Sequence, residues 1–423
     1  MDRWSTDVVL VAAALCAIAA CRGAPRSDPA ASPDGRRLAL VGGVIYATPT
    51  AAPITDGAMV IHGERIAAVG PRARVRIPAG AVVIDVRGQA VLPGFSNSHV
   101  HFVEPKWAGI DSMPAERARD LLRAMFTRFG FVRVFDIASF PEVTLALRRR
   151  IQSGEVLGPD ILTTLAPFVP PNGTPRYVAP LKLPELHGAA DARDSVRARV
   201  AQGADAIKLF TVPITRTEPF PVMAPAVVRA VTDAAHRTGL PVFAHPTNQD
   251  GVEVALDGGV DVLAHTVPMA GVLPEPLLDR MQRGGVALIP TLTLWEQDLG
   301  TDTVGIRRFV QASQDQVRAY AERRGRILFG TDDGYITHYD PTREYELMTG
   351  AGLDFRAILA SLTTTPADEF GLSRRAGQLI PGFDADVVVI DGDPATDIRA
   401  LGRVRLTIKR GRVLYDAGAR SAP

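Results

Sequence analysis

Two histidines separated by one residue, His99 and His101, follow the apolar stretch Val91-Leu92-Pro93-Gly94. In an extended strand residues i and i+2 face the same side, so both imidazoles present to one face and could share a metal ion. A lysine, Lys208, stands inside the apolar run Ala206-Ile207-Lys208-Leu209-Phe210. Burying an ammonium is costly unless it is paired, so burial favours the neutral amine. Such an amine is nucleophilic and can take up carbon dioxide as a carbamate, whose two oxygens are able to bridge two cations. His245 closes Val242-Phe243-Ala244, His265 closes Val262-Leu263-Ala264, and Asp332 closes Leu328-Phe329-Gly330-Thr331. Each has an ordinary reading: a histidine after a strand is usually a hydrogen-bonded polar residue, and Asp332 could cap the next helix. Four of the eight histidines nevertheless end such apolar runs, whereas His62, His187 and His236 fall in turn, loop or helix positions. A shared site explains this better than coincidence.

These residues need elements that bring them to one place. Through the middle of the chain, apolar runs of strand length alternate with amphipathic stretches of helical length, the βα alternation of a parallel sheet or barrel. Strands are expected over 94–102, 132–137, 160–166, 204–210, 241–245, 260–265, 286–290 and 326–332. Helices are expected over 115–129, 141–153, 192–201, 224–238, 274–283 and 305–324. Eight strands make a (β/α)₈ TIM barrel the economical α/β fold, with chemistry at the C-terminal strand ends. No Gly-x-Gly-x-x-Gly turn follows any strand, which disfavours a doubly wound sheet. A proline-rich loop over 168–190 would lie across the barrel mouth. Both ends of the chain carry short period-2 apolar runs, over 38–41, 58–61, 66–69, 82–86, 385–390 and 404–415, read as antiparallel β structure. Neither end has enough core alone, and together they would complete one composite β-sandwich. The expected organisation is a signal peptide of lipoprotein type over 1–20, a linker over 21–36, the composite sandwich over 37–91 and 375–418, and the barrel over 92–374.

Composition narrows the function. Lys and Arg number 47 against 46 Asp and Glu, so no basic surplus recruits nucleic acid. The two cysteines, Cys16 and Cys21, leave the body of the chain without a disulfide framework or thiolate metal site. An uninterrupted apolar run from Val8 to Ala20 has the length of a signal-peptide core and is short for a bilayer span. Ile18-Ala19-Ala20-Cys21 resembles a bacterial lipobox, which implies an envelope lipoprotein, periplasmic or tethered to the outer membrane by acyl chains on Cys21. A plain cleaved secretory signal, giving a secreted protein, and an uncleaved N-terminal anchor are the alternatives.

With His99-x-His101 after Leu92-Pro93-Gly94, and Lys208, His245, His265 and Asp332 each on its strand, the sequence resembles the amidohydrolase superfamily. Gly203-Ala204-Asp205-Ala206-Ile207-Lys208, Pro290-Thr291-Leu292 and the 377–391 segment are similar to the imidazolonepropionase-like and Xaa-Pro dipeptidase (prolidase)-like branch. The resemblance covers about 38–417. It implies two divalent metal ions, with His99, His101 and Asp332 on one, His245 and His265 on the other, and carbamylated Lys208 bridging them. Imidazole and oxygen ligands suit Zn²⁺, with manganese, iron or cobalt as alternatives. The implied reaction is hydrolysis of a C–N bond, an amide, dipeptide or cyclic amide, by a metal-bridged hydroxide with Asp332 as catalytic proton shuttle. Two features depart from the branch: Thr211-Val212-Pro213-Ile214 replaces a Gly-rich or Tyr-containing loop, and Ala264-His265-Thr266 replaces Glu-His-Gly. They leave the metal chemistry in place and dipeptide specificity open. Candidates for substrate contact are Tyr177, Trp295 with Glu296, Tyr335 and His338, for each of which packing or surface roles compete. The remaining alternatives are a mononuclear deaminase-like enzyme using His99, His101, His245 and Asp332, and a non-catalytic envelope binding lipoprotein.

Overall fold

A computed structural model describes residues 35–419; the expected signal peptide, the lipobox and all but the last two linker residues lie outside that range. Sixteen strands follow one another along the described chain. The first five are β1 (Arg37–Ile45), β2 (Ile54–His62), β3 (Arg65–Pro71), β4 (Val82–Asp85) and β5 (Gln89–Pro93). Eight form the middle: β6 (Phe95–Val100), β7 (Phe131–Asp136), β8 (Asp160–Thr163), β9 (Ile207–Phe210), β10 (Val242–His245), β11 (Val262–Ala264), β12 (Ala287–Ile289) and β13 (Arg326–Ile327). The chain ends with β14 (Val387–Asp391), β15 (Val404–Lys409) and β16 (Arg412–Asp416).

Strands from the two chain ends share one eight-stranded sheet, ordered β16-β15-β14-β5-β1-β2-β3 with β4 also on β1. The join is β14 against β5, where Val387 to Asp391 pair antiparallel with Pro93 to Gln89. The expected all-antiparallel pattern is corrected at one place, because β4 and β5 both pair parallel to β1. β1, β2 and β3 form a meander, so β3 runs in the same sense as β1. The chain then crosses over through the Arg72–Arg74 turn instead of folding back in a hairpin, and β4 therefore arrives on the free side of β1 in the same direction.

The middle strands form two all-parallel sheets, β6-β7-β8 and β9 to β13. Apart from the half-buried β8 and β13, their residues are buried almost without exception, as expected of parallel strands covered on both faces. Isolated bridges join the outer edges, Phe168 to Leu209 at one side and Val100 to Asp333 at the other. The helices expected between strands are present, as Ala115–Met125, Pro141–Gln152, Ala189–Gln202, Pro225–His236, Glu275–Arg283 and Thr303–Glu322. Asp302 caps the last of these by accepting the Gly305 N–H, and Asn248 likewise caps Gln249–Gly258.

A charged layer ties the foot of the parallel strands to the terminal sheet. Asp160 at the start of β8 meets Lys409 at 2.6 Å and Arg410 at 3.0 Å, while Arg133 of β7 meets Asp386 at 3.3 Å. Burial would raise the Asp160 carboxyl, but the charges of Lys409, Arg133 and Arg410 outweigh it and hold the group below the usual carboxylate range.

Candidate metal centre

His99 on β6 and His101, the residue just past its end, bring their Nε2 atoms 3.2 Å apart. Asp332 approaches both through Oδ1, at 3.3 Å from His99 Nε2 and 2.9 Å from His101 Nε2. These three residues form a group whose ligand atoms all lie within 4.8 Å of one another. His265 adds a fourth donor, with Nε2 3.7 Å from Asp332 Oδ2 and its ring 4.5 Å from that of His99. His245 packs beside it, ring centroids 4.8 Å apart, and also touches Phe210 at 4.6 Å. Lys208 is buried on β9, its Nζ 5.9 Å from the Phe210 ring centroid. No carboxylate lies within 4.0 Å of that amine among the described residues. The structure thus brings His99, His101 and Asp332 into one group with His265 and then His245 beside it, and Lys208, from within β9, is near enough for its charge to act on His99, His245 and His265.

The backbone that holds them is bent where it matters. His265 and Asp332 have positive φ, 94° and 65°, a conformation uncommon for residues with a side chain. His265 directly follows β11, whereas Asp332 lies five residues past β13, whose regular part stops at Ile327 and so falls short of the strand expected over 326–332. Strand pairing continues past the last regular residue of β13: Phe329 accepts the Ser98 N–H at 2.8 Å, and the Asp332 N–H donates to His99 at 2.9 Å. This seam requires Gly330, where an added Cβ would sit 2.8 Å from that of His99. It also requires Gly334, at φ +102°, where an added Cβ would collide with the His101 carbonyl.

Neighbours fix the rings. His101 Nδ1 lies 2.7 Å from the Ala138 carbonyl, which only a donor N–H satisfies, so Nε2 is the atom left to face the site. His265 Nδ1 bonds Thr291 Oγ1 at 2.8 Å, with Thr291 itself at φ 43°. The Glu344 carboxylate, fully buried, accepts the Leu292 and Thr293 N–H groups at 2.8 Å each and the Thr293 hydroxyl at 2.9 Å. Asn97 cross-links β6 to the segment after β13, donating to Thr331 Oγ1 at 2.7 Å and accepting from the Thr331 N–H at 3.3 Å. The sequence marks Thr291 only as part of the Pro290-Thr291-Leu292 motif and does not mark Glu344. Asn97 carried a signal, since 97, 99 and 101 share one strand face; Glu344, from the distant helix Thr342–Gly350, carried none.

Charge follows burial here. Desolvation, with the neighbouring cationic groups, pushes His99, His245 and His265 well below the usual imidazole value, so all three rest neutral with lone pairs available. Burial would do the same to His101, but the Asp332 carboxylate beside it reverses the effect and raises that imidazole. Burial brings Lys208 down to about 7 against the pull of Asp332. His99 Nδ1 and Asp332 Oδ1 are buried polar atoms without a well-formed hydrogen bond. Neutral imidazoles, an unsatisfied carboxylate oxygen and an unpaired amine are groups that fit divalent metal ions.

The proposed substrate contacts divide. Tyr177 and Tyr335 meet edge to face at 5.4 Å and remain accessible. Trp295 is half-buried against Phe309 at 5.6 Å, its Nε1 3.4 Å from Thr266 Oγ1. Glu296 is engaged by Arg343 at 2.7 Å. His338 lines a small cavity of about 130 Å³ with Thr331 and Arg343.

The family model described as "Amidohydrolase family" matches residues 90–414. The chain belongs to that family, which makes it a hydrolase acting on carbon–nitrogen bonds. It is 22% identical over 411 residues to an ochratoxinase of Aspergillus niger, covering 87% of this chain and 84% of the relative. It is 25% identical to an adenine deaminase of Rubrobacter xylanophilus over 90% of this chain and 57% of that protein. Its fold matches the crystal structure of a Xaa-Pro dipeptidase with methionine bound in the active site, with TM-score 0.77 and 22% identity over 90% of this chain and 100% of that one.

Proposed function

We propose that this protein is a binuclear, zinc-dependent hydrolase of small amides. The observation that carries the reading is the convergence of four histidines, Asp332 and the unpaired amine of Lys208 on one buried rim. His99, His101 and Asp332 would hold one ion, His245 and His265 the other. Lys208, as its carbamate, would lie between them: the neutral amine adds to the carbon of carbon dioxide, a C–N bond forms, and one N–H proton leaves to water. When bound, the metal pair supplies an activated water and polarises the scissile carbonyl. Asp332 takes the proton of the attacking water at its carboxylate and returns it to the leaving nitrogen. Ala138 and Thr291 hold the His101 and His265 rings in the orientation that this requires.

The same reading takes the eight middle strands as a (β/α)₈ barrel over 92–374, supported by the edge bridges at Phe168–Leu209 and Val100–Asp333. It takes the shared terminal sheet over 37–91 and 375–418 as a composite β-sandwich domain. The lipobox-like Cys21 supports an envelope location with a lipid tether, which the mass of the mature N-terminal peptide would test.

A second reading, a mononuclear deaminase, draws on the compactness of the His99, His101 and Asp332 group and on the adenine deaminase similarity. Metal analysis separates the two: about two zinc ions per chain supports the hydrolase, and about one supports the deaminase. Binding of none after supplementation would sink both. A screen of the metal-loaded protein against Xaa-Pro dipeptides, N-acyl amino acids, cyclic amides and adenine tests the reaction itself.

A further inference from the structure

Large apolar side chains left exposed on a folded protein usually scatter, and a concentration of them marks a place that something apolar covers. Among the described residues, ten large hydrophobic side chains are exposed, and Val82 and Val83 on β4 account for two. The other eight, Val103, Leu181, Val222 and Met269 among them, all lie in segments that follow a strand of the parallel sheets. Apart from that on β4, apolar exposure therefore falls in the segments that leave the parallel strands, as the candidate metal residues do.

Two of the eight make a built feature. Tyr177, in the proline-rich loop after β8, is 43% exposed, and Tyr335, three residues beyond Asp332, is 40% exposed. Their rings meet edge to face at 5.4 Å, and the Tyr335 hydroxyl donates to Asp298 Oδ1 at 2.8 Å, so one side of the pair is anchored to a third loop. The Tyr335 N–H donates to the Asp332 carbonyl at 3.1 Å, closing a turn between the two residues, and the Asp332 charge is felt at both phenols. Arg176 stands beside them, its charge felt at Tyr335, and no carboxylate lies within 4.0 Å of its guanidinium among the described residues. The mouth therefore offers an aromatic wall and a free cation side by side.

We propose that Tyr177 and Tyr335, anchored by Asp298 and flanked by Arg176, form the subsite that receives the apolar side chain and free carboxylate of an N-acyl amino acid. This rests on the amide-hydrolase reading for what happens to the ligand, but not for its binding.

Calorimetric titration of the full chain, metal-free and zinc-loaded, with N-acetyl-L-phenylalanine, N-acetylglycine and N-acetyl-L-phenylalanine amide tests it. Wild type should bind the phenylalanine acid about tenfold more tightly than the glycine acid. Tyr177→Ala should erase that preference while leaving N-acetylglycine unchanged. Arg176→Gln should weaken the acid about tenfold and leave the neutral amide unchanged. Both positions are exposed, so thermal unfolding should not move. Equal affinity for the two acids in wild type, or an equal loss for all three probes in either variant, overturns the subsite. So does a Tyr177→Ala change in oligomeric state with binding intact, which would make the rim a contact between copies. Selective binding without turnover would defeat the hydrolase reading and keep the subsite, whereas turnover without selectivity would do the reverse.

Discussion

Lys208 and Asp332 carry the sharpest residue-scale expectations. If Lys208 bridges two ions as its carbamate, Lys208→Ala should lose bound metal and turnover together, and a short carboxylic acid should restore part of both. Metal content unchanged by that substitution defeats the bridge. Asp332→Asn keeps the volume and removes the proton acceptor. Turnover should fall by about 10²- to 10⁴-fold with the far-ultraviolet circular dichroism unchanged, and full activity would show that the shuttle is another group.

At the scale of the element, the bend after β12 is held from outside itself. Thr291 reaches His265 from a left-handed backbone position, and the Glu344 carboxylate secures the next two N–H groups. Glu344→Gln replaces one acceptor oxygen by an amide donor that faces an N–H. It should cost about 2 to 3 kcal/mol in denaturant unfolding. Because the bend also orients His265, the same variant should bind zinc about tenfold or more weakly, whereas a purely structural role would leave the metal affinity of the folded fraction unchanged.

For the whole molecule, Asp160 joins the parallel strands to the terminal sheet through Lys409 and Arg410. Asp160→Asn leaves those cations half-buried without their counter-charge and should destabilise by about 3 kcal/mol. The pH dependence has a definite sign. The folded Asp160 carboxyl sits below its unfolded value of 3.8, so its contribution is complete above that pH and is lost as pH falls toward the folded value. Acid unfolding of wild type should therefore steepen below about pH 4, and the Asn variant should lack that component.

Much of this was legible in the residues alone. Strand periodicity placed His99 and His101 on one face, and apolar runs ending in His245, His265 and Asp332 marked three further strand ends, because buried parallel strands must be apolar until they surface. The split of the terminal β segments was legible for a related reason: neither end carries enough apolar surface for a core. What the tertiary structure alone decided are contacts between residues far apart in the chain and unremarkable in type. Glu344 supports a bend 51 residues away, Tyr177 meets Tyr335 across two loops, and β4 lies parallel to β1 after a crossover. Local pattern reports which face of an element is buried; it does not report which distant segment comes to cover that face, since that is settled only when the whole core packs.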